Sequence, residues 1–345
     1  MNILIVRVSS LGDVVHNMPM VADIRRRYPD ANIDWVVEEA YASLVRLNPE
    51  VRTIIPIALR RWRKGLAQAS TRAEIGDFYH RLRAEAYDFV FDTQGLLKTS
   101  VVMRLARLAP GGKRVGLANA TEGSGYEPIS RIFHQQSVTV GLHTHAVMRA
   151  RLVAAVALGY APDQPVDFAM RVPGREAGTL AWLPAQPYAV FLHGTARADK
   201  RWDDAKWIAL AQALEMRNLP VLLPWGSAGE KLVAEQLASC MPQAIVLPAL
   251  PLMDAVTLVQ QAALVVGLDT GLTHIAAAYC RPTVELYCDS PRWKTEGNWS
   301  PYIVNLGNIG EPPDVPQVLQ AIDKVLSLPT AGAVRQQHQT QDNEA

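Results

Sequence analysis

Between Ala262 and Ala278 the chain reads as a short buried strand, a sharp turn and a helix. The apolar run Ala262 to Val266 ends β-branched, Gly267 permits close backbone approach, and Ile275-Ala276-Ala277-Ala278 continues as a helix after Asp269-Thr270-Gly271. Thr270 stands where a helix N-cap belongs. A helix start leaves N–H groups unpaired and partly positive, so Thr270 and Gly271 form a receptor suited to phosphate. Asp269, at the strand end, can accept hydrogen bonds from sugar hydroxyls, and His274 points back to the same place from one turn in. The unit alone decides little: many α/β proteins carry it with no ligand, and a first-turn histidine is as often a structural residue.

The same unit recurs along the chain. Met1 to Val8 reads as a buried strand, Ser9-Ser10-Leu11-Gly12-Asp13 as a turn, and Asp13 to Arg27 as a helix with Val14, Val15, Met18, Val21 and Ile24 at helical spacing. This puts Ser10, Gly12 and Asp13 at the carboxyl edge of a parallel sheet, where open α/β folds bind ligands. Asp13 suits a capping role there as readily as a catalytic one. Residues 34–37 and 53–57 read as strands, 42–47 as helical, and 87–92 as a strand turning through Gln94 and Lys98 into a helix over 99–108. A short strand at 114–116, a polar loop over 117–136 and a helix over 145–158 complete the first half.

Five prolines between 162 and 187 mark a linker. The expected division is a Rossmann-like domain over 1–165, a linker over 166–187, a second Rossmann-like domain over 188–328, and a disordered Gln-rich tail over 329–345. In the second domain the strand 188–192 runs into His193-Gly194-Thr195-Ala196, with Lys200 close behind and a helix over 203–216. Val221-Leu222-Leu223 leads through Pro224-Trp225-Gly226 to a helix beginning near Glu230. Strands over 244–247 and 283–287, with helices over 252–261 and 315–328, complete the alternation of α/β class.

Net charge is only +1, which argues against a nucleic-acid partner, but the halves differ in sign. Residues 1–160 hold 21 Lys and Arg against 14 Asp and Glu, and the remainder holds 13 against 19. A basic half suggests an anionic partner that the other half does not share. Its densest point is Arg60-Arg61-Trp62-Arg63-Lys64, which reads as a solvated face or, through its tryptophan, as an amphipathic surface meeting lipid headgroups or a bulky anion. The three cysteines form no C-x-x-C pair, and the chain opens directly on a strand with no run of eighteen apolar residues. A cytoplasmic protein is expected.

The opening Met1-Asn2-Ile3-Leu4-Ile5-Val6-Arg7-Val8-Ser9-Ser10-Leu11-Gly12-Asp13-Val14-Val15-His16, the Asp92-Thr93-Gln94-Gly95 turn, Leu223-Pro224-Trp225-Gly226 and Asp269-Thr270-Gly271-Leu272-Thr273-His274 together resemble the lipopolysaccharide heptosyltransferases. The likeness runs to about residue 328. Trp35-Val36-Val37-Glu38-Glu39 and Arg60 to Lys64 resemble the members that add the first L-glycero-D-manno-heptose to the Kdo of Kdo2-lipid A. The resemblance implies a GT-B fold, two Rossmann-like domains with parallel sheets facing across a cleft, and inverting transfer with no metal and no cofactor. The absence of any Asp-x-Asp agrees, leaving protein cations and helix ends to neutralise the leaving group.

By this resemblance Asp13 is the general base. ADP-heptose lies on the second domain, with Lys200, Thr195, Ala196, Thr270, Gly271 and His274 about the diphosphate, Asp269 on the heptose and Glu230 on the ribose. Ala196 replaces a second threonine of the relatives, and Leu250 replaces a methionine near the adenine. From the residues alone, Lys200 is also readable as an ordinary loop lysine. Ser10, Gly12, Gln94, Lys98, Arg60, Arg61, Arg63 and Lys64 serve the acceptor, and the basic half faces an anionic inner-membrane surface from the cytoplasmic side. Three other readings stand beside this one: a heptosyltransferase II or III acting on an already heptosylated acceptor, a nucleotide-dependent oxidoreductase, and a non-catalytic nucleotide-sugar-binding protein. The oxidoreductase is disfavoured because no G-x-G-x-x-G follows the first strand.

Overall fold

The computed structural model describes residues 1–173, 182–195 and 197–329. It divides into two units, Met1–Arg171 and Val172–Ala345. Ala196 and the tail from 330 onward, both named above, lie outside the described residues, as does 174–181 within the expected linker.

The first unit runs β1 (Asn2–Val6), α1 (Leu11–Arg27), β2 (Asn32–Glu38), α2 (Ala42–Val45), β3 (Thr53–Ile57), α3 (Leu59–Gly65), α4 (Ala69–Arg83), β4 (Tyr87–Asp92), α5 (Leu97–Leu105), β5 (Leu108–Leu117), β6 (Gln136–Val138) and α6 (Ala146–Leu158). Its parallel sheet has the order β3-β2-β1-β4-β5-β6. The second unit runs β7 (Ala189–Leu192), α7 (Asp204–Glu215), β8 (Val221–Leu223), α8 (Ala228–Cys240), β9 (Ile245–Val246), α9 (Leu252–Gln261), β10 (Leu264–Leu268), α10 (Gly271–Ala278), β11 (Thr283–Tyr287), β12 (Ile303–Gly307) and α11 (Val315–Leu326). Its order, β12-β11-β10-β7-β8-β9, is the same topology. In both sheets the direction of strand progression reverses between the first and fourth strands, and ligands of such sheets bind outside the carboxyl ends at that point. The point falls at β1/β4 in one unit and at β7/β10 in the other.

Central strands are buried on both faces, which is why they read as continuous apolar runs. Leu4 and Val6 pack with Val36, Ile55, Trp62 and Phe78. In the second unit the Phe191 ring lies tilted by 43° against Trp207 at 4.9 Å, and Trp207 meets Trp202 edge-on at 5.0 Å. Sequence periodicity left α3, α4, β6 and β12 unassigned, and the expected loop over 117–136 contains a 3-10 turn at Pro128–Phe133. Among the described residues no helix is long and apolar enough to cross a membrane.

A buried ion pair ties α1 to α6. The Arg151 guanidinium, 2% exposed, donates to both carboxylate oxygens of Asp23, at 2.6 and 3.1 Å, and to the Gln164 carbonyl at 2.6 Å. Breaking one partner of such a pair leaves a desolvated charge. Arg151→Ala is expected to lower the free energy of unfolding by about 3–5 kcal/mol, read from urea denaturation of native and variant chains.

Candidate active site

In the first unit the carboxyl ends of β1 and β4 are laced together. Arg7, 5% exposed, donates to the Thr93 carbonyl at 2.6 Å, and Gln94 Oε1 accepts from the Val8 amide at 3.1 Å. Asp92 shapes the turn after β4 by accepting from the amides of Gln94 and Gly95 and the hydroxyls of Thr99 and Ser100, at 2.7–3.0 Å. Gly95 has φ +72°, and a Cβ there would lie 2.9 Å from the Tyr126 ring, so the turn needs glycine on two counts.

Asp13 sits in the first turn of α1 and combines both roles open to it in the sequence. Its Oδ2 caps the helix by accepting from the Ser10 amide at 3.0 Å and the Ser10 hydroxyl at 2.8 Å. Its Oδ1 meets Arg7 Nη2 at 2.5 Å and lies 3.9 Å from Arg149 Nη2. Burial works to raise its pKa, but Arg7, the Ser10 amide, Arg149 and the Ser10 hydroxyl outweigh it and hold the carboxyl well below the usual range. Arg149 on α6 is pushed down to about 10 by burial and by Arg7, against the pull of Asp13. Two buried guanidiniums therefore bracket one ionised, part-exposed carboxylate. Neither arginine was legible as a site residue: Arg7 lies inside a strand pattern, and Arg149 is more than 130 positions from Asp13 in the chain.

Ser10 stands beside Asp13, and Gln94 reaches the same β1 turn, with its Nε2 at 3.5 Å from Ser9 Oγ. Gly12 is half-buried in the same turn, and Lys98 is exposed in the first turn of α5. Of the two readings of the basic cluster, the solvated face holds for its four cations and the lipid-facing tryptophan does not. The cluster forms α3, in which Trp62 is buried on Phe78 and donates to Glu74 at 2.9 Å, so this side chain belongs to the core and presents no face to lipid. Arg61 is bound by Glu39 and Glu74 at 2.8–3.1 Å, while Arg60 lies over the Tyr41 ring at 5.9 Å. Arg63 and Lys64 are exposed.

In the second unit three adjacent strands, β10, β7 and β8, deliver the other candidate residues except Leu250, which follows β9. Thr195 follows β7, and Lys200 ends a 3-10 turn just beyond it. Lys200 Nζ meets Asp269 Oδ2 at 2.6 Å, while Asp269 Oδ1 accepts from the Thr295 hydroxyl at 3.0 Å and faces His274 Nε2 at 3.1 Å. Thr270 occupies the N-cap position of α10 and Gly271 opens the helix, with the Thr270 hydroxyl 3.2 Å from that of Thr273 rather than on a helix amide. Glu230, in the first turn of α8, accepts from the Gly226 amide at 2.7 Å. It approaches Gly194 so closely that a Cβ there would be 2.8 Å from its carboxyl carbon. Leu250 is half-buried in the segment before α9, which Trp225 anchors by donating to the Leu247 carbonyl at 2.7 Å.

His274 lies deeper than the sequence suggested, 3% exposed, with its other ring nitrogen 3.4 Å from Glu285 Oε1. Glu285, fully buried on β11, accepts through Oε2 from the Tyr287 hydroxyl at 3.0 Å and the Gly297 amide at 2.9 Å. Burial opposes charging His274, but the two carboxylates prevail and raise its pKa to about 10. Burial likewise opposes ionisation of Asp269, and His274 and Lys200 together hold it well below the usual range. The result is an ordered row of charges, Glu285, His274, Asp269 and Lys200, of which Lys200 is the most exposed. Lys200 can thus exchange Asp269 for an incoming anion while His274 keeps Asp269 ionised.

The family model for glycosyltransferase family 9 (heptosyltransferase) matches residues 75–320. Lipopolysaccharide heptosyltransferase 1 of Pseudomonas aeruginosa is 39% identical over 289 residues, which cover 83% of this chain and 78% of that protein. The solved structure of Escherichia coli heptosyltransferase WaaC with ADP superposes with a TM-score of 0.81 at 33% identity, over 94% of this chain and all of that one. The structure of the same enzyme with ADP-2-deoxy-2-fluoro heptose gives 0.76 at 33% identity, over 94% and 99%. With the family model spanning most of both Rossmann-like units, the chain is a glycosyltransferase and belongs to family 9, the heptosyltransferases.

Proposed function

We propose that this chain is a heptosyltransferase I, transferring L-glycero-D-manno-heptose from ADP-heptose to the Kdo of Kdo2-lipid A at the cytoplasmic face of the inner membrane, with inversion and without a metal. Relatives named lipopolysaccharide heptosyltransferase 1, at 36–39% identity, support the reaction, and the ADP-bound neighbours support the donor. The observation that carries the reading is the ionised Asp13 at the β1/β4 switch point, with Oδ2 held, among the described residues, by Ser10.

The Ser10 hydroxyl is a neutral, rotatable donor, so an acceptor hydroxyl can take its place on Oδ2 while Arg7 keeps Oδ1 fixed. As the acceptor oxygen bonds to the heptose anomeric carbon, its proton passes to Oδ2, and the bond from that carbon to the phosphate oxygen of ADP breaks on the opposite side. The leaving diphosphate gains charge at that moment. Lys200, released from Asp269, and the N–H groups opening α10 at Gly271 neutralise it, with Thr195 and Thr270 as hydroxyl donors. Asp269 then offers its carboxylate to the heptose hydroxyls, and Glu230 and Leu250 serve the ribose and adenine. Lys98, Gln94, Arg60, Arg63 and Lys64 serve the acceptor's anionic sugars and phosphates, while Arg61 serves through its hold on α3.

The test is ADP release from ADP-L-glycero-D-manno-heptose and Kdo2-lipid A in EDTA. Turnover that EDTA leaves intact, with a KM for ADP-heptose raised about tenfold or more in Lys200→Ala, is the expected result. Release only when the acceptor already carries a heptose would reassign the chain to heptosyltransferase II, and donor binding with no release would make it a binding protein.

A further inference from the structure

The outer face of α5 exposes a row of large apolar side chains. Leu97, Val101 and Leu105 stand at i, i+4 and i+8 with exposures of 41, 41 and 38%, while Thr99, Ser100, Val102 and Met103 fill the buried face. The 3-10 turn Pro128–Phe133 packs beside this helix and exposes Ile129 and Ile132 at 51 and 70%. Large apolar side chains exposed singly need no explanation, whereas five on two neighbouring elements do.

Charge narrows the occupant. Lys98, Arg104 and Arg131 are exposed among these residues, and none has a carboxylate partner among the described residues. Between 97 and 135 the only acids are Glu122 and Glu127. Both are engaged: Glu127 accepts the Leu97 amide at 2.5 Å, and Glu122 pairs with His143 at 2.7 Å. Apolar side chains interleaved with unpaired cations fit a bilayer bearing anionic headgroups, where the apolar groups enter the acyl boundary and the cations meet phosphates. The helix also begins at Leu97, three residues beyond Gln94, and so starts from the β4 side of the switch point that holds Asp13. An acceptor anchored by acyl chains must leave those chains in a bilayer while its sugar reaches that point.

We propose that the α5 face and the 128–133 turn dock this chain onto an anionic phospholipid surface, in place of the α3 cluster whose tryptophan is buried. The inference rests on the lipid-acceptor reading above. It assigns the orientation: α5 lies against the headgroups, and the acceptor sugar rises past Lys98 towards Asp13.

Flotation of the full chain with vesicles of phosphatidylethanolamine and phosphatidylglycerol, or of phosphatidylcholine alone, tests it. The native chain is expected to float with the anionic vesicles and to be released by salt. Val101→Ser/Ile129→Ser/Ile132→Ser should cut that partition by about tenfold or more. Arg104→Glu/Arg131→Glu should cut it by about fivefold for each cation removed. Unchanged thermal unfolding of both variants shows that they fold. Both variants should retain native turnover of an acceptor stripped of its acyl chains and lose turnover of the acylated acceptor in vesicles. Native-like flotation of both variants overturns the docking face, as does a native chain that stays in solution. Concentration-dependent self-association abolished by the apolar variant, with flotation unchanged, overturns it in favour of a second copy of the chain. A native chain that floats as expected but turns over neither acceptor would instead overturn the proposed reaction and leave the docking face standing.

Discussion

Asp13→Asn is expected to lower kcat by about 10²–10⁴-fold while leaving the KM for ADP-heptose near its native value, because the substitution removes a proton acceptor and no donor contact. Asparagine keeps the size of the side chain and an oxygen for the Ser10 donors, so the helix start survives. The cost it does carry is electrostatic: Arg7 and Arg149, 5% and 7% exposed, lose their shared counter-charge. Urea denaturation alongside the kinetics separates that loss of stability from the loss of turnover. A kcat within threefold of native, roughly the scatter of a structural substitution, would rule Asp13 out as the base. The pH dependence adds a second readout. The folded carboxyl lies well below its unfolded value, so its contribution to stability is present above about pH 4 and is lost as pH falls through the folded pKa. In Arg7→Gln that depression weakens, and the acid limb of kcat/KM should move upward in pH.

What the sequence revealed follows from which interactions are local. The strands β1, β4, β7 and β10 were legible because each is a continuous apolar run, and their turns because Gly12, Gly95, Gly194 and Gly271 punctuate them. Asp13, Lys200 and Asp269 could be placed at sheet edges on that ground alone. The edge strands β6 and β12 escaped because they are short or half-exposed and lack the run, and α4 because its apolar face is thin. The partners of the candidate residues were illegible for a different reason. Arg149 reaches Asp13, and Glu285 reaches His274, only after helices and strands pack, and nothing in local spacing announces such a meeting.

In the α3 cluster the local pattern holds for the four cations, which are exposed, and stops at the tryptophan, which is buried. Four cations around a tryptophan look like a surface patch when counted along the chain. On a helix they divide: Trp62 turns inward to Phe78, Arg61 turns to Glu39 and Glu74, and only the remaining positions stay open to a ligand. The apolar stripe of α5, by contrast, carries no compositional signal, since Leu97, Val101 and Leu105 would ordinarily be taken for core. Exposure on the folded helix is what distinguishes them.

Glu285→Gln is the change expected to expose how the donor side is held. Glutamine keeps acceptors for the Tyr287 hydroxyl and the Gly297 amide but removes one of the two charges that keep His274 protonated. Burial, which opposes protonation, is untouched, so the imidazolium pKa should fall from about 10 towards neutrality. The sign for stability follows: a raised folded pKa stabilises fully below the unfolded value of about 6.5, and that stabilisation is lost as pH rises through the folded value. Relative to native, the variant should therefore lose about 3–5 kcal/mol near pH 6 and progressively less towards pH 10. In kinetics the effect should fall on the KM for ADP-heptose more than on kcat, because a neutral His274 no longer secures Asp269 once Lys200 turns to the diphosphate. Imidazole nitrogen shifts of the native chain give an independent check. A His274 that titrates near 6.5 in the native protein would show that the row of charges does not hold it, whatever the variant does.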